Sequence, residues 1–421
     1  MFKAVAGYYK DNERLRLLVK IIAVWLISRA VMLLMVPVMN LIADEPHQWL
    51  YYMNPWDAEW YKGIVENGYQ PPKSSGMASW AFFPLYPLVC MAVRLVTMES
   101  IDTYAVGMTV SNICIIIAVY YAVKYADIEL DMKKYNKKTV EDIIIFLMLA
   151  GPFAVYYGAM YTEALFILCV ILCFYNSARH NYMAAGIAAA MASATRIVGC
   201  MLVFVLITYM FMETCAECRA KHNSEMKDNK EAGILIAGNI SLASVIRTFI
   251  KNVIKEPKKL VAIMISPLGI FIYMNYLRYF CGDSWAFYHV QRAWRTQKMF
   301  PVIGVLFKSC TGQLSAASGV KTLNGIILGW LCVITLMLYA AMIRKKHYAL
   351  GIFGIIVLLI PLTSSVMSTL RFIMGSFVIY IGVAEIIAGC NRYVRYGIIT
   401  LLSIVEIVVI SAWYFWDGLL M

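Results

Sequence analysis

A carboxylate pair flanked by tryptophans, Trp56-Asp57-Ala58-Glu59-Trp60-Tyr61, stands in the first long polar gap of an otherwise apolar chain. A carboxylate held there can take a proton from a hydroxyl nucleophile. Rings beside it suit the apolar face of a sugar or a lipid tail. If residues 56–61 form a helical turn, Trp56 and Trp60 stack on one face at i and i+4, Asp57 and Tyr61 share the neighbouring face, and Glu59 points elsewhere. One carboxylate, Asp57, then addresses a pocket as general base. The competing reading is an interfacial aromatic belt carrying a solvated Asp.

The elements that must position this loop follow from composition. With 62% hydrophobic and 15% charged residues and a mean hydropathy of +0.70, the chain cannot be covered by water around one globular core. It reads as an all-α, polytopic integral membrane protein, one membrane domain over 1–421. At about 20 apolar residues per crossing, segments fall at 21–43, 104–123, 140–158, 161–178, 183–211, 259–280, 322–343, 348–366, 371–389 and 395–416, with 81–97 as a further candidate. That makes ten or eleven. Lys3, Lys10, Arg14, Arg16 and Lys20 precede the first apolar run, so the N-terminus is expected in the cytoplasm and residues 44–80 form the first extracytoplasmic loop.

The net charge of +12 sits largely in short connections: Lys133, Lys134, Lys137 and Lys138; Arg179 and His180; Arg344 to His347; Arg392 and Arg395. Positive residues stay inside, so this excess reports topology, and nucleic acid is not an expected partner. Placing all of these connections inside has two consequences. The Pro84, Pro87 run at 81–97 becomes a re-entrant or juxtamembrane element, and 183–211 enters and returns to one side as half-helices broken near Arg196 and Gly199. Residues 212–258 are expected as a cytoplasmic loop. Within it Leu242, Val245, Ile246, Phe249, Ile250, Val253 and Ile254 share a helical face interleaved with Arg247, Lys251 and Lys255, a basic amphipathic helix lying on the leaflet.

Most of the eleven cysteines lie in apolar runs, where a thiol is a small hydrophobe. Cys215-Ala216-Glu217-Cys218 is a lone CxxC and a weak metal signal. The five histidines show no paired ligand spacing, so no metal site and no cofactor is expected, with metal dependence left open.

Beyond the first loop the chain carries Gly68-Tyr69 and Ala81-Phe82-Phe83-Pro84-Leu85-Tyr86-Pro87-Leu88. Further along come Gly151-Pro152-Phe153 with Tyr161-Thr162-Glu163, then Ala192-Ser193-Ala194-Thr195-Arg196. Gly282-Asp283 follows with Ala286-Phe287, His289, Gln291 and Trp294, and finally Ser368 with Arg371. In this order the motifs resemble the GPI mannosyltransferase II (PIG-V-like) family of GT-C glycosyltransferases, over nearly the whole chain. The resemblance implies a GT-C-like fold and an inverting transferase. The enzyme would move a hexose, with mannose expected, from a polyprenyl or dolichyl phosphate sugar to an acceptor hydroxyl on the outer face. Its partners would be the lipid-linked donor, an acceptor glycan or glycolipid, and membrane lipids. Because the lipid phosphate is a good leaving group, the chemistry asks for a base and a cationic cradle more than for a strong acid.

The other candidates have bland readings too. Thr162 can be an N-cap and Glu163 a first-turn acid, or Tyr161 and Glu163 can bind substrate hydroxyls. Arg196 lies in an apolar stretch, where a charge marks either a buried pair or a functional site. His289, Gln291, Arg292 and Arg295, with Asp283, Trp285 and Trp294, form either a solvated outer loop or part of a phosphate site. Arg371, at the outer mouth of an apolar helix, can snorkel or can grip a lipid phosphate in bidentate fashion. Asp57 is thus the expected catalytic residue. Trp56, Glu59, Trp60, Tyr61, Tyr161, Glu163, Arg196, His289, Gln291 and Arg371 are the expected substrate contacts. A transporter or lipid flippase is the alternative, favoured by Arg196 and the broken segment, but its ionisable residues should cluster at the midplane rather than at one face. With no retention signal and the sequon Asn239-Ile240-Ser241 on the inner side, a bacterial plasma membrane is expected, or the endoplasmic reticulum if the source is eukaryotic.

Overall fold

The computed structural model describes residues 12–72, 76–231, 241–293, 301–313, 322–363, 366–417 and 420; Lys3, Lys10, Asn239, Ile240, Trp294 and Arg295 lie outside the described residues. Every regular element among the described residues is helical. In chain order these are α1 (Glu13–Asn40), α2 (Trp49–Met53), α3 (Asp57–Asn67), α4 (Leu85–Val96), α5 (Thr103–Glu129), α6 (Lys137–Leu149), α7 (Glu163–Ala178), α8 (Tyr182–Ser193), α9 (Leu202–Glu231) and α10 (Leu242–Lys255). The second half holds α11 (Pro257–Ile265), α12 (Leu268–Cys281), α13 (Ala286–His289), α14 (Val302–Cys310), α15 (Thr322–Arg344), α16 (Tyr348–Leu362), α17 (Thr369–Gly375), α18 (Val378–Gly389) and α19 (Arg392–Tyr414).

Among the described residues five spans are long and apolar enough to cross a membrane: α1, α5, Ile197–Ser224, α15 and α19. They become seven if the bent pairs α11–α12 (43°) and α17–α18 (72°) each count as one. The helices α4, α7, α8 and α16 are apolar but shorter. The apolar segments read from the sequence therefore divide into full spans, bent pairs and short helices. Two boundaries are corrected. The run 140–158 is α-helical only to Leu149, where Pro152, lacking an N–H, follows closely, and it resumes as a short 3-10 turn at Ala154–Tyr157. Nor does the polar stretch begin a loop at 212, since α9 continues through it to Glu231.

Polar caps start the helices. Asn12, Asn136 and Asn391 accept backbone N–H groups at the first turns of α1, α6 and α19, and Asp102 does so for α5. The first three caps belong to one end of the bundle, where the basic connections meet. Lys137 pairs with Glu13 at 2.6 Å and Asp127 at 3.2 Å, Lys345 with Glu385 at 2.9 Å, and His347 with Glu129 at 2.7 Å. Lys20 binds Glu141, and Tyr135 donates to Glu385. At the other end Thr103 donates to Glu66 and Tyr104 to Glu59, so α5 starts beside α3.

The short helix α4, about 18 Å long at 1.5 Å per residue, cannot cross a core of about 30 Å. Its first amide, Leu85 N–H, donates to Ala194 O in the break between α8 and α9 at 3.0 Å. The start of α8 lies against α9 part-way along its length, with Tyr182 donating to Glu213 at 2.7 Å. The chain thus runs in along α8 and back along α9. Helix α10 turns Val245 and Val253 inward, with Phe249 against Phe211 at 5.6 Å, while Leu242, Ile246, Ile250 and Ile254 face outward beside Arg247, Lys251 and Lys255. One side of its apolar face thus packs against α9 and the rest of that face is exposed.

Candidate active site

The turn before α3 is set by rings. Trp56 has φ 48°, a conformation that L side chains seldom adopt. Its ring is held edge-on by Trp413 at 5.4 Å and lies 6.0 Å from Trp416. The helix then opens on Asp57, whose N–H donates to the Tyr161 hydroxyl at 3.3 Å, while that hydroxyl donates to Pro55 O at 2.6 Å. Ala58, Tyr61, Ile64 and Val65 form the buried face. Tyr61 meets Phe82 and Tyr86 and donates to Thr162. Burial raises its hydroxyl pKa above the ordinary value. Trp60 stacks on Phe82 at 5.6 Å and 16°. The expected Trp56–Trp60 stack is corrected: Trp56 precedes the helix, so i,i+4 geometry does not apply and the two rings go to different partners.

Glu163 opens α7 as Asp57 opens α3. Two helix N-termini therefore present carboxylates, a placement that the peptide dipoles favour. Thr162 stands at the N-cap position but makes no side-chain cap bond; its hydroxyl accepts from Tyr61. Arg371, on α17, joins the two carboxylates, donating from Nε to Glu163 Oε1 and from Nη1 to Asp57 Oδ2, each at 2.5 Å. Its guanidinium also lies 4.9 Å from the Tyr161 ring centre. Arg196, in the extended break after α8, reaches the same Glu163 oxygen from Nη2 at 3.0 Å and lies over Phe166 and Phe372. Two carboxylates thus face two guanidiniums. Side-chain exposure rises from 1% at Glu163 through 8% at Arg371 and 14% at Arg196 to 27% at Asp57. Asp57 stands at the open edge of a buried ion cluster. Among the described residues Glu163 Oε2 has no hydrogen-bond partner.

The remaining expected residues divide. Glu59 turns away to accept from Tyr104 at 2.9 Å. His289 pairs with Asp283 at 2.7 Å, a bond that lowers the carboxyl pKa below its ordinary value. Gln291 sits in a 3-10 turn next to α13. Their segment reaches the first loop through Phe287, which packs on Phe83 at 5.4 Å, but among the described contacts neither side chain joins the ion cluster. Tyr69 and Tyr273 both donate to Phe82 O and fix that loop, with Gly68 at φ 70° supplying the turn before Tyr69.

Sequence reasoning missed Trp413 and Trp416, and it missed Arg29, half-buried on α1. Arg29 donates to Asn112 at 2.9 Å and to Ala154 O at 3.4 Å, which steadies the 154–162 loop under Tyr161. A lone arginine in an apolar run was the available signal. Glu406, buried on α19, was missed in the same way. Among the described residues no group of three or more His, Cys, Asp or Glu side chains could hold a metal ion. Cys215 and Cys218 are free thiols on α9.

No curated protein matches the chain. Two solved structures from Archaeoglobus fulgidus resemble it in shape. One is the oligosaccharyltransferase AglB in complex with an inhibitory peptide and a dolichol-phosphate, at 12% identity and TM-score 0.45, covering 98% of this chain and 56% of that one. The other is the oligosaccharyltransferase tethered to an acceptor peptide containing the NVT sequon, at 13% and 0.46, covering 97% and 56%. The chain spans little more than half the length of these structures. The model of the mannosyltransferase (PIG-V) family matches residues 14–284, from α1 to the loop after α12 and including Asp57, Glu163 and Arg196. With well over half of its length matched, this chain belongs to the mannosyltransferase (PIG-V) family.

Proposed function

We propose that the enzyme transfers a hexose, mannose by family, from a polyprenyl or dolichyl phosphate sugar to an acceptor hydroxyl on a glycan or glycolipid, at the extracytoplasmic face and with inversion. The observation that carries this reading is the ion cluster at the end of the bundle opposite the basic connections, with one carboxylate at its open edge. In the step proposed, Asp57 takes the acceptor O–H proton, the acceptor oxygen bonds to C1 of the sugar, and the C1–O bond to the phosphate breaks. The electron pair leaves on the lipid phosphate, where Arg371 and Arg196 offset the charge. Attack opposite the leaving group inverts C1. Trp60 and Phe82 offer a flat apolar wall beside the cluster, suited to a sugar face or a prenyl chain.

The test is incubation of membranes with labelled polyprenyl phosphate sugars, followed by identification of the product and its anomeric configuration. Labelled product is expected only with a lipid phosphate donor; transfer from a nucleotide sugar alone overturns the reading. For the face, a cysteine placed in 64–72 should react with a membrane-impermeant reagent from outside and one in 222–231 should not. A bacterial plasma membrane is the location proposed, with the endoplasmic reticulum as alternative, and fractionation of the source cells decides it.

A further inference from the structure

In the ligand-free protein the proposed base is held by the group that the donor needs. Asp57 Oδ2 lies 2.5 Å from Arg371 Nη1. Arg371 cannot turn away, because its Nε is bound to Glu163 and it is 8% exposed. The third nitrogen, Nη2, donates to no acceptor among the described residues. The four charges balance, two carboxylates against two guanidiniums, so a lipid phosphodiester entering unaided would leave one uncompensated negative charge in a largely buried site. One member can relieve this. Asp57 is the most exposed of the four, and its other oxygen makes no described contact, whereas Glu163 is 1% exposed and bridges both arginines.

Resting on the transferase reading above, we propose that Asp57 is a place-holder for the donor phosphate. The phosphate displaces the carboxylate from Arg371 Nη1, and only then is Asp57 free to receive a proton. While Oδ2 holds Arg371 Nη1, the carboxylate is kept against the guanidinium and not against an incoming hydroxyl. The displaced one faces the open edge where the acceptor hydroxyl arrives. The donor therefore switches on its own base, and binding is ordered, donor before acceptor. After transfer Asp57 carries the acceptor proton and the lipid phosphate carries the electron pair. Once Asp57 loses that proton to solvent, it competes again for Arg371 and helps expel the product. Glu163 is the positioning residue, since it anchors Arg371 in both states.

The experiment measures binding of a short-chain polyprenyl monophosphate to the full-length protein in nanodiscs, with transfer assayed in parallel. Asp57→Asn should bind the lipid phosphate about 10-fold more tightly than wild type, given the coupling typical of close buried charge pairs, while losing transfer. Glu163→Gln should show no such gain, because it leaves the Asp57–Arg371 pair in place. Unchanged or weaker binding by Asp57→Asn overturns the place-holder, and so does equal tightening in both variants, which a general charge effect would give. Wild-type transfer by Asp57→Asn instead refutes the assignment of the base, whatever the binding shows. Should Asp57→Asn fail to give a cooperative unfolding transition, Asp57→Ser is read the same way.

Discussion

The two ends of the bundle both hold ion pairs, and they do so under opposite conditions. At the basic end Lys137 and Glu13 are each about half exposed (44% and 55%), and Lys345 lies against Glu385 with its own chain at 46%. The Lys137–Glu13 pair is hydrated, screened by salt and individually weak, although Glu385 and the His347–Glu129 pair at this end are themselves largely covered. At the site end Arg371, Arg196 and Glu163 are nearly closed off from solvent. Burying charges costs several kcal/mol per ion unless geometry and partners are good, and well-packed apolar residues often do as well or better for stability. The buried cluster is therefore weak as a stabilising device, in keeping with the substrate site proposed above. The exposed pairs need no such account: they join short basic connections at the surface.

The largest effect that separates the two ends is expected at Asp57. Asp57→Asn should lower transfer by about 100-fold to 10,000-fold, the range for a lost general base, measured as initial rate with saturating donor. Next comes Arg371→Ala, which leaves Asp57 unpaired and Glu163 with one partner. It should lower stability by about 3–5 kcal/mol, as broken buried pairs do, read from denaturant unfolding in detergent. Arg371→Lys keeps the charge without the planar fork and should lie between alanine and wild type in both stability and donor affinity. The smallest effect belongs to the other end. Lys137→Ala should cost no more than about 1 kcal/mol and leave transfer unaltered. A loss there as large as at Arg371 would erase the contrast between the ends.

The legible part of this architecture was what depends on local composition. Apolar runs announced the helices, the turn at Arg196 and Gly199 appeared as a charge and a glycine within an apolar stretch, and Asp57 stood out as an acid between tryptophans. What could not be read was proximity. Asp57 and Arg371 are 314 positions apart, and nothing in either neighbourhood names the other. The expectation that Arg371 reaches a lipid phosphate did not foresee a resident carboxylate on the same guanidinium. Two errors had local signals that went unused. Gly151-Pro152 ends α6 inside a segment read as continuous, and Gly375-Ser376 precedes the 72° bend inside 371–389. For His289 and Gln291 the sequence left a solvated outer loop and a phosphate site both open, and in the fold His289 pairs with Asp283 in a segment packed against Phe83.

The turn at Trp56 ties the first loop to the last helix. A tryptophan at φ 48° is costly by itself, and its ring is kept in place by Trp413 and Trp416. The orientation of Asp57 is in that sense inherited from residues more than 350 positions downstream. Among relatives this should leave a trace: where position 56 carries a glycine, which adopts such a backbone freely, the bulk at 413 and 416 is released from its task and should vary. Where 56 remains aromatic, the two downstream rings should persist with it, and the three positions should change together over descent.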